Sequence, residues 1–333
     1  MSVVIANHNH AAFVLEAVAS ALSQTYRRIE VVVVDDASTD DSVARLTRTY
    51  GDQIRIVALT ENRGQVRAIE AGLGHASGEI VCLLDADDRW LPHKVARVVE
   101  AFATDPQLVQ ISHGLHTIDR DGRPLTGRRR LLRHRWARRL ALSSGDARTA
   151  LFRWNRYGCG ITSGLSYPRW VLEQATPMPE EFLAECTYFD TWSTVAAAFT
   201  GPVGSIPENL MEYRIHGANA AGGSTEFGRF IRCWRSTGRM VDLWAERTGD
   251  PRRSDVDKSD NRLVLFRFLD GEAVPARARL RAVARTPIEL WDLESQVLDG
   301  VIRFAERLVM ASSRRRGAEV KEVGLNRWLR RRA

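Results

Sequence analysis

Cysteine is scarce in this chain of 333 residues: Cys82, Cys159, Cys186 and Cys233 stand far apart, with no Cys-x-x-Cys pair. That spacing fits neither a zinc site nor a disulfide scaffold and is the pattern of a reducing compartment. No run of about 18 apolar residues occurs, so no segment is expected to cross a membrane. The apolar opening Val3-Val4-Ile5-Ala6 meets Asn7 at once, too short for the core of a signal peptide. These absences set the expectation of a soluble, cytoplasmic protein. Charge of one sign does not dominate either. There are 48 basic residues against 41 acidic ones, a net charge of +7, so the placement of the excess matters more than its size. The phosphate-cradling motif Gly-x-x-x-x-Gly-Lys-Ser/Thr is missing. Gly72-Leu73-Gly74-His75-Ala76-Ser77-Gly78 comes close to a dinucleotide fingerprint but has one residue too many. It also follows a helical pattern instead of a strand, where its glycines cannot bring phosphates to a helix N-terminus. With 44% hydrophobic and 27% charged residues, wholesale disorder is excluded. The length suits two domains, or one large domain with an appendage.

What is present is alternation between two periodicities. Val3 to Ala6 is a short apolar run, and Ala11 to Leu22 then sets Phe13, Ala17, Val18, Ala21 and Leu22 on one helical face. Ile29 to Val34 is a β-branched run, as expected of a strand covered on both faces, and it ends in the Asp35 to Asp40 turn, which could cap a helix carrying Val43 and Leu46. Ile54 to Leu59 and Glu79 to Leu84 repeat the strand signal, with a helical pattern from Gln65 to His75 between them. Pro92 opens a further helix running to about Ala103. Strand–helix alternation of this kind predicts an α/β fold with a mostly parallel sheet flanked by helices. Beyond residue 107 the pattern loosens. Leu108 to Ile118, Ile161 to Tyr167 and Leu210 to Ile215 read as strands and Phe189 to Phe199 as a helix. After Gly222-Gly223-Ser224 the composition shifts to arginine-rich helical stretches. The organisation expected is 1–110 and 111–223 as two halves of one α/β domain, and 224–333 as a helical C-terminal appendage.

In open α/β sheets ligands bind beyond the carboxyl ends of the strands. Two acidic clusters fall there, Asp35-Asp36 and Asp85-Ala86-Asp87-Asp88. Asp85 and Asp87 are two residues apart, so on extended backbone their side chains point to one side. Two carboxylates held close in a cleft repel unless a cation lies near them, and Mg²⁺ commonly combines one or two carboxylates with substrate phosphates. The cluster reads as a divalent-metal diphosphate site, the alternative being a pair of solvated turn acids.

Val3-Val4-Ile5-Ala6-Asn7-His8-Asn9, Gln24-Thr25-Tyr26 and Ile29 to Asp40 together resemble the opening of the family 2 inverting glycosyltransferases. Asn62-Arg63-Gly64, Ala76-Ser77-Gly78-Glu79 and Leu84-Asp85-Ala86-Asp87-Asp88 continue the resemblance in order, and Tyr213 to Asn219 resembles the close of the catalytic domain. It covers roughly residues 2–220. The resemblance implies a GT-A fold, a nucleotide-diphosphate sugar donor of UDP or dTDP type, Mg²⁺ or Mn²⁺, and transfer with inversion to a glycan or lipid-linked acceptor. Carried over, Ala6, Asn7, His8, Asn9, Asn62, Gly64, Arg67 and Ala86 would line the donor. Asp36 would meet the base, Asp85 the ribose, and Asp87 the metal. His216 would reach the same metal or the diphosphate, or be an ordinary strand-end residue. The chain departs from the family at the general base. Where many members carry a Glu-Asp pair before a helix, this sequence has Thr187-Tyr188, leaving Asp190 as the base and Glu185 in reserve. Asp190 could instead be the N-cap of the helix that follows.

Arg128 to Arg139 holds seven arginines and no acid, and Arg314-Arg315-Arg316 and Arg330-Arg331-Arg332 add to the positive charge. Three uses are open: a solvated helix face, peripheral contact with anionic lipid at the inner face of a membrane, or a phosphorylated acceptor. Nucleic acid is disfavoured because no binding motif accompanies the arginines. Two rival readings stand beside the enzyme: a catalytically weak sugar-nucleotide-binding protein, and a membrane-associated assembly subunit. A homo-oligomer through the C-terminal helices is left open.

Overall fold

A computed structural model describes residues 1–125, 144–154, 161–186, 188–216 and 227–254. The chain divides into two compact units, residues 1–216 with 232–259, and residues 217–231 with 260–333. In the second unit only 227–231 are described, as helix. The three arginine clusters lie outside the described residues.

The first unit opens with β1 (Ser2–Asn7), α1 (Val14–Leu22), β2 (Glu30–Asp35), α2 (Ser42–Tyr50), β3 (Arg55–Ala58), α3 (Gly64–Leu73) and β4 (Ile80–Asp85). These are the elements that the apolar periodicity predicts, within one to three residues. Next come β5 (Arg89–Trp90), α4 (Lys94–Thr104), β6 (Gln110–Ile118), α5 (Arg148–Trp154), β7 (Ser166–Pro168) and α6 (Arg169–Ala175). The described part closes with α7 (Glu180–Leu183), α8 (Phe189–Thr200), β8 (Val203–Arg214) and α9 (Phe227–Thr248). The sheet order is β3-β2-β1-β4-β7-β6-β8-β5. The first four neighbours are parallel, β4 meets β7 antiparallel, and β6 runs parallel to β8. The mostly parallel sheet is therefore mixed on one side of β4.

The unbroken apolar runs have a physical reason. Side chains alternate across a strand, and here both faces are covered. Val3, Ile5, Val31, Val33, Cys82 and Leu84 pack with α1 and α4, while Val4, Val81 and Leu83 face the layer of α3 and α8. Gly72 of α3 marks how closely the second layer approaches. A Cβ there would lie 2.5 Å from Val4 Cγ1 and 3.0 Å from Val34 Cγ2. The glycine of the rejected fingerprint is thus a helix-to-sheet contact.

Three expectations are corrected. Ile161 to Tyr167 is not one strand: Thr162–Gly164 forms a 3-10 turn, and only Ser166–Pro168 pairs with the sheet. The turn wins because its polar groups are engaged elsewhere, as described below. The strand expected from Leu210 begins already at Val203, its apolar pattern interrupted by a bulge where β6 shifts register after His113. The cysteines were read as unpaired, yet Cys186 and Cys233, with Cα atoms 4.5 Å apart, are joined as a disulfide across 47 residues. Sequence spacing carries no information about a pair brought together by the packing of α9.

Gly72→Ala should destabilise the fold by about 1–3 kcal/mol, the usual penalty of overpacking. Denaturant unfolding would register this as a lower midpoint, and an unchanged midpoint would show that α3 can move off the sheet.

Candidate functional site

The carboxyl ends of β1, β2 and β4 lie side by side, with Asn7 beside Asp35 and Ala6 beside Asp85 in the registers. The loops that leave β1 and β2 are locked together. Asn7 Nδ2 donates to Asp35 Oδ1 (2.6 Å), and Ser38 donates to the same carboxylate through its backbone N–H (2.9 Å) and its hydroxyl (2.6 Å). Asn9 Oδ1 accepts the Thr39 N–H (2.8 Å), and Asp40 Oδ2 accepts the Ala11 N–H (2.9 Å). His8 Nδ1 lies 2.8 Å from the Asp36 carbonyl oxygen and Nε2 3.0 Å from Asn62 Nδ2. The carbonyl can only accept, so Nδ1 carries the proton and Nε2 accepts from the amide. Asn7, His8, Asn9, Asp36 and Asn62 are thus brought together.

Asp36 is buried, and both its oxygens are engaged by backbone. Arg63 N–H donates to Oδ1 and Gly64 N–H to Oδ2, each at 2.8 Å. The carboxylate satisfies two orphan donors at the start of α3, where Gly64 takes a φ of 82°. Arg67, one turn further, is engaged by Glu70 (2.5 Å) and Glu180. With Leu59, Arg63 and Ala71 these three residues line a cavity of about 320 Å³.

The second cluster is more crowded. Gln65 Nε2 donates to Asp85 Oδ1 (2.7 Å), and the Asp85 N–H donates to Ser163 Oγ (3.0 Å). Ser163 Oγ donates to Asp88 Oδ2 at 2.6 Å, and Asp88 Oδ1 accepts the backbone N–H of Arg214 at 2.9 Å. Asp87 Oδ2 lies 2.9 Å from His216 Nε2. Asp87 and His216, both expected at the metal, are thus brought into contact with each other. His10 joins them, its ring 5.8 Å from that of His216. Burial pushes the His10 pKa down, against the opposing pull of the Asp87 charge.

Asp190 sits in the first turn of α8 and is not its cap. Tyr188 holds the N-cap position, and no side chain caps the helix there. The neighbouring Phe189 and Trp192 are fully buried, each contributing roughly 1.5–3 kcal/mol, which fixes the helix and so the acid. Burial raises the Asp190 pKa, while hydrogen bonds from Thr191 and Thr162 oppose the rise. Its charge reaches Asp85. The Asp85 carboxyl is pushed up to about 8, first by burial and then by the charges of Asp87 and Asp190. Asp88 is raised well above its usual range by burial, then by Asp87 and Asp85. Glu185, the reserve base, is instead paired with Arg239 on α9.

Ser163, Gln65 and Asp88 escaped the sequence reading. Asp88 was visible as the last acid of the motif. Ser163 and Gln65 carry no local signal, since only folding brings them to β4. Among the described residues no three His, Cys, Asp or Glu side chains form a ready metal cage, and none of their helices is long and apolar enough to cross a membrane.

Asp85 holds its proton to about pH 8 in the folded protein, against about pH 4 in an unfolded chain. A carboxyl raised on folding gives stability that is full below about pH 4 and lost as pH rises through about 8. Asp85→Asn cannot ionise. Without divalent cation its melting temperature should gain on wild type as pH rises from about 5 to 8. A difference that stays flat over this range would show that Asp85 ionises normally.

Comparison with known proteins places these residues in a wider context. Residues 2–157 match the sequence profile described as glycosyl transferase family 2. An uncharacterized glycosyltransferase of Nostoc sp. is 38% identical over 223 residues, 66% of this chain and 66% of that protein. The succinoglycan biosynthesis protein ExoO of Rhizobium meliloti is 37% identical over 123 residues, 37% of this chain and 35% of its own length. The chain thus spans no more than about two thirds of either relative. Among solved structures, the mannosyltransferase PcManGT from Pyrobaculum calidifontis, in complex with GDP-Man and Mn²⁺, aligns with a TM-score of 0.54 at 22% identity. That alignment covers 91% of this chain and 79% of the other. S. aureus TarS in complex with UDP aligns with a TM-score of 0.52 at 15% identity, over 96% and 92%.

Proposed function

The chain belongs to glycosyl transferase family 2, and we propose that it moves a sugar from a nucleotide-diphosphate sugar to a hydroxyl of a glycan or lipid-linked acceptor, with inversion. The observation that carries this reading is the position of Asp190. It is enclosed, raised in pKa, and within electrostatic reach of Asp85. A carboxylate raised toward neutrality is a better proton acceptor than an exposed one.

The donor fits the crevice by chemistry. Asp36 has both oxygens engaged by backbone, but each keeps a lone pair for the imide N–H of a uracil or thymine. Asn7, His8, Asn9 and Asn62 form the loop wall beside it, Gly64 leaves open space where a Cβ would stand, and Arg67 lines the adjoining cavity. Ala86 is instead buried in the apolar core and Ala6 packs against it. In this reading Asp85 serves the ribose. The donor set of Asp87 and His216 suits a hard divalent cation, Mg²⁺ or Mn²⁺, completed by phosphate oxygens. Crowding supports the same fit, since after burial the Asp87 charge is what raises the carboxyl groups of both Asp85 and Asp88. When bound, such an ion supplies Lewis-acid stabilisation of the departing diphosphate.

The chain's own residues do the rest. Asp190 takes the proton of the acceptor hydroxyl as its oxygen bonds to the anomeric carbon, and the bond to the diphosphate breaks on the opposite face. No enzyme nucleophile is needed. The acceptor side, and any contact of the arginine clusters with a membrane surface, belong to this proposal as well.

Asp190→Asn should lower the release of nucleoside diphosphate by about 10²–10⁴-fold while donor affinity barely changes. Near wild-type turnover in the variant would take the base role from Asp190. Asp87→Ala should abolish the Mn²⁺-dependent rise in melting temperature given by a nucleoside diphosphate, since only ligands of the native state stabilise it. If that rise persists undiminished, Asp87 is not a metal residue. Donor binding in wild type without turnover on any acceptor would describe a sugar-nucleotide-binding subunit instead.

A further inference from the structure

Asp88 is only 1% exposed, and the proposed transfer gives it nothing to do. Both its oxygens are occupied by parts of the chain that are remote in sequence. Oδ2 accepts from Ser163 Oγ (2.6 Å), and Oδ1 accepts the Arg214 N–H (2.9 Å). Each partner then reaches back to the site. The Arg214 guanidinium is itself buried and donates from Nε to the Asp87 carbonyl (2.8 Å), from Nη1 to the Arg120 carbonyl (2.9 Å) and from Nη2 to Glu16 (2.7 Å). Two residues beyond Arg214, His216 meets the Asp87 carboxylate. Ser163 accepts the Asp85 N–H (3.0 Å), and its carbonyl receives Trp90 Nε1 (2.8 Å). Its neighbour Thr162 hydrogen-bonds Asp190.

We propose that Asp88 is a positioning residue which, through Ser163 and Arg214, sets Asp87 against His216 and so governs affinity for a divalent cation without touching it. The proposal rests on the reading of Asp87 and His216 as the cation side of the site. Three segments have to agree in position to about the tolerance of a hydrogen bond: the end of β4, the turn at 162–164 and the end of β8. One carboxylate bonded to the other two enforces that agreement. Groups that orient metal ligands from behind typically change affinity by 10–100-fold when removed.

The test uses the full chain and Mn²⁺ alone, then Mn²⁺ with pyrophosphate, following the free-ion paramagnetic resonance signal. Four proteins are compared: wild type, Asp88→Asn, Asp88→Ala and Ser163→Ala. Asparagine preserves both links, since its carbonyl can accept from Arg214 and its amide can donate to Ser163 Oγ. We expect Asp88→Asn to bind Mn²⁺ close to wild type, and Asp88→Ala and Ser163→Ala to bind it about 10–100-fold more weakly. If Asp88→Asn loses as much as Asp88→Ala, the charge itself ligates and the proposal fails. It fails equally if all variants keep wild-type affinity, whatever their melting temperatures. Should Asp88→Ala not fold, the contrast between Asp88→Asn and Ser163→Ala decides. A wild type that binds no Mn²⁺ under either condition removes the cation site itself, and the positioning role with it.

Discussion

Several carboxyl groups cannot share a small, poorly hydrated volume in ionised form unless something neutralises them. At an effective dielectric of about 20, two unit charges 4 Å apart repel by about 4 kcal/mol. Asp85, Asp87 and Asp88 crowd the end of β4, and Asp190 acts on Asp85 from α8. The fold holds them there with a turn of three residues. Thr162 and Ser163 are adjacent, and between them they hydrogen-bond Asp190, Asp85 and Asp88. Protonation relieves that repulsion, and the divalent cation proposed above would relieve it in the same way.

The remainder of the first unit keeps that arrangement rigid. Two apolar layers clamp the central strands, so β4 cannot slide without exposing Val81 and Leu83 on one face or Cys82 and Leu84 on the other. The loops beyond β1 and β2 include two residues in the left-handed region, Asn9 at φ 56° and Ala37 at φ 54°. For alanine that conformation costs roughly 1–2 kcal/mol. It is held by what surrounds it: Asp35 grips Ser38 on one side, and the Asp36 N–H donates to the Asn7 carbonyl on the other. Strain of this kind sits where a loop must present particular groups.

Much of this was legible before folding. Strands β1 to β4 and helices α1 to α4 follow from apolar runs, because a strand covered on both faces leaves no choice of residue type. The acidic clusters fall at strand ends as the sequence places them, and the resemblance picked out Asp87 and His216, which the fold brings into contact. Other features were hidden for a physical reason. Ser163 acts through a hydrogen bond across 78 residues to Asp85, and nothing local distinguishes it from any other turn serine. Cys186 and Cys233 meet only because residues 232–248 of α9 pack within the first unit. The sequence set Asp190 ahead of Glu185 as the base by position alone. Folding separates them by partner: Thr162 and burial for the one, Arg239 for the other.

In the proposed site the crowded carboxyl groups hold a proton which a divalent cation would displace. Calorimetric titration with Mn²⁺ in buffers of different ionisation enthalpy counts that proton directly, since a cation bound beside a protonated carboxyl favours its ionised form and releases the proton. With Asp85 pushed up to about 8, binding near neutral pH should release about one proton, declining toward none at about pH 9. Mn²⁺ binding with no proton release at neutral pH would contradict the account, because the carboxyl groups would then already be ionised side by side.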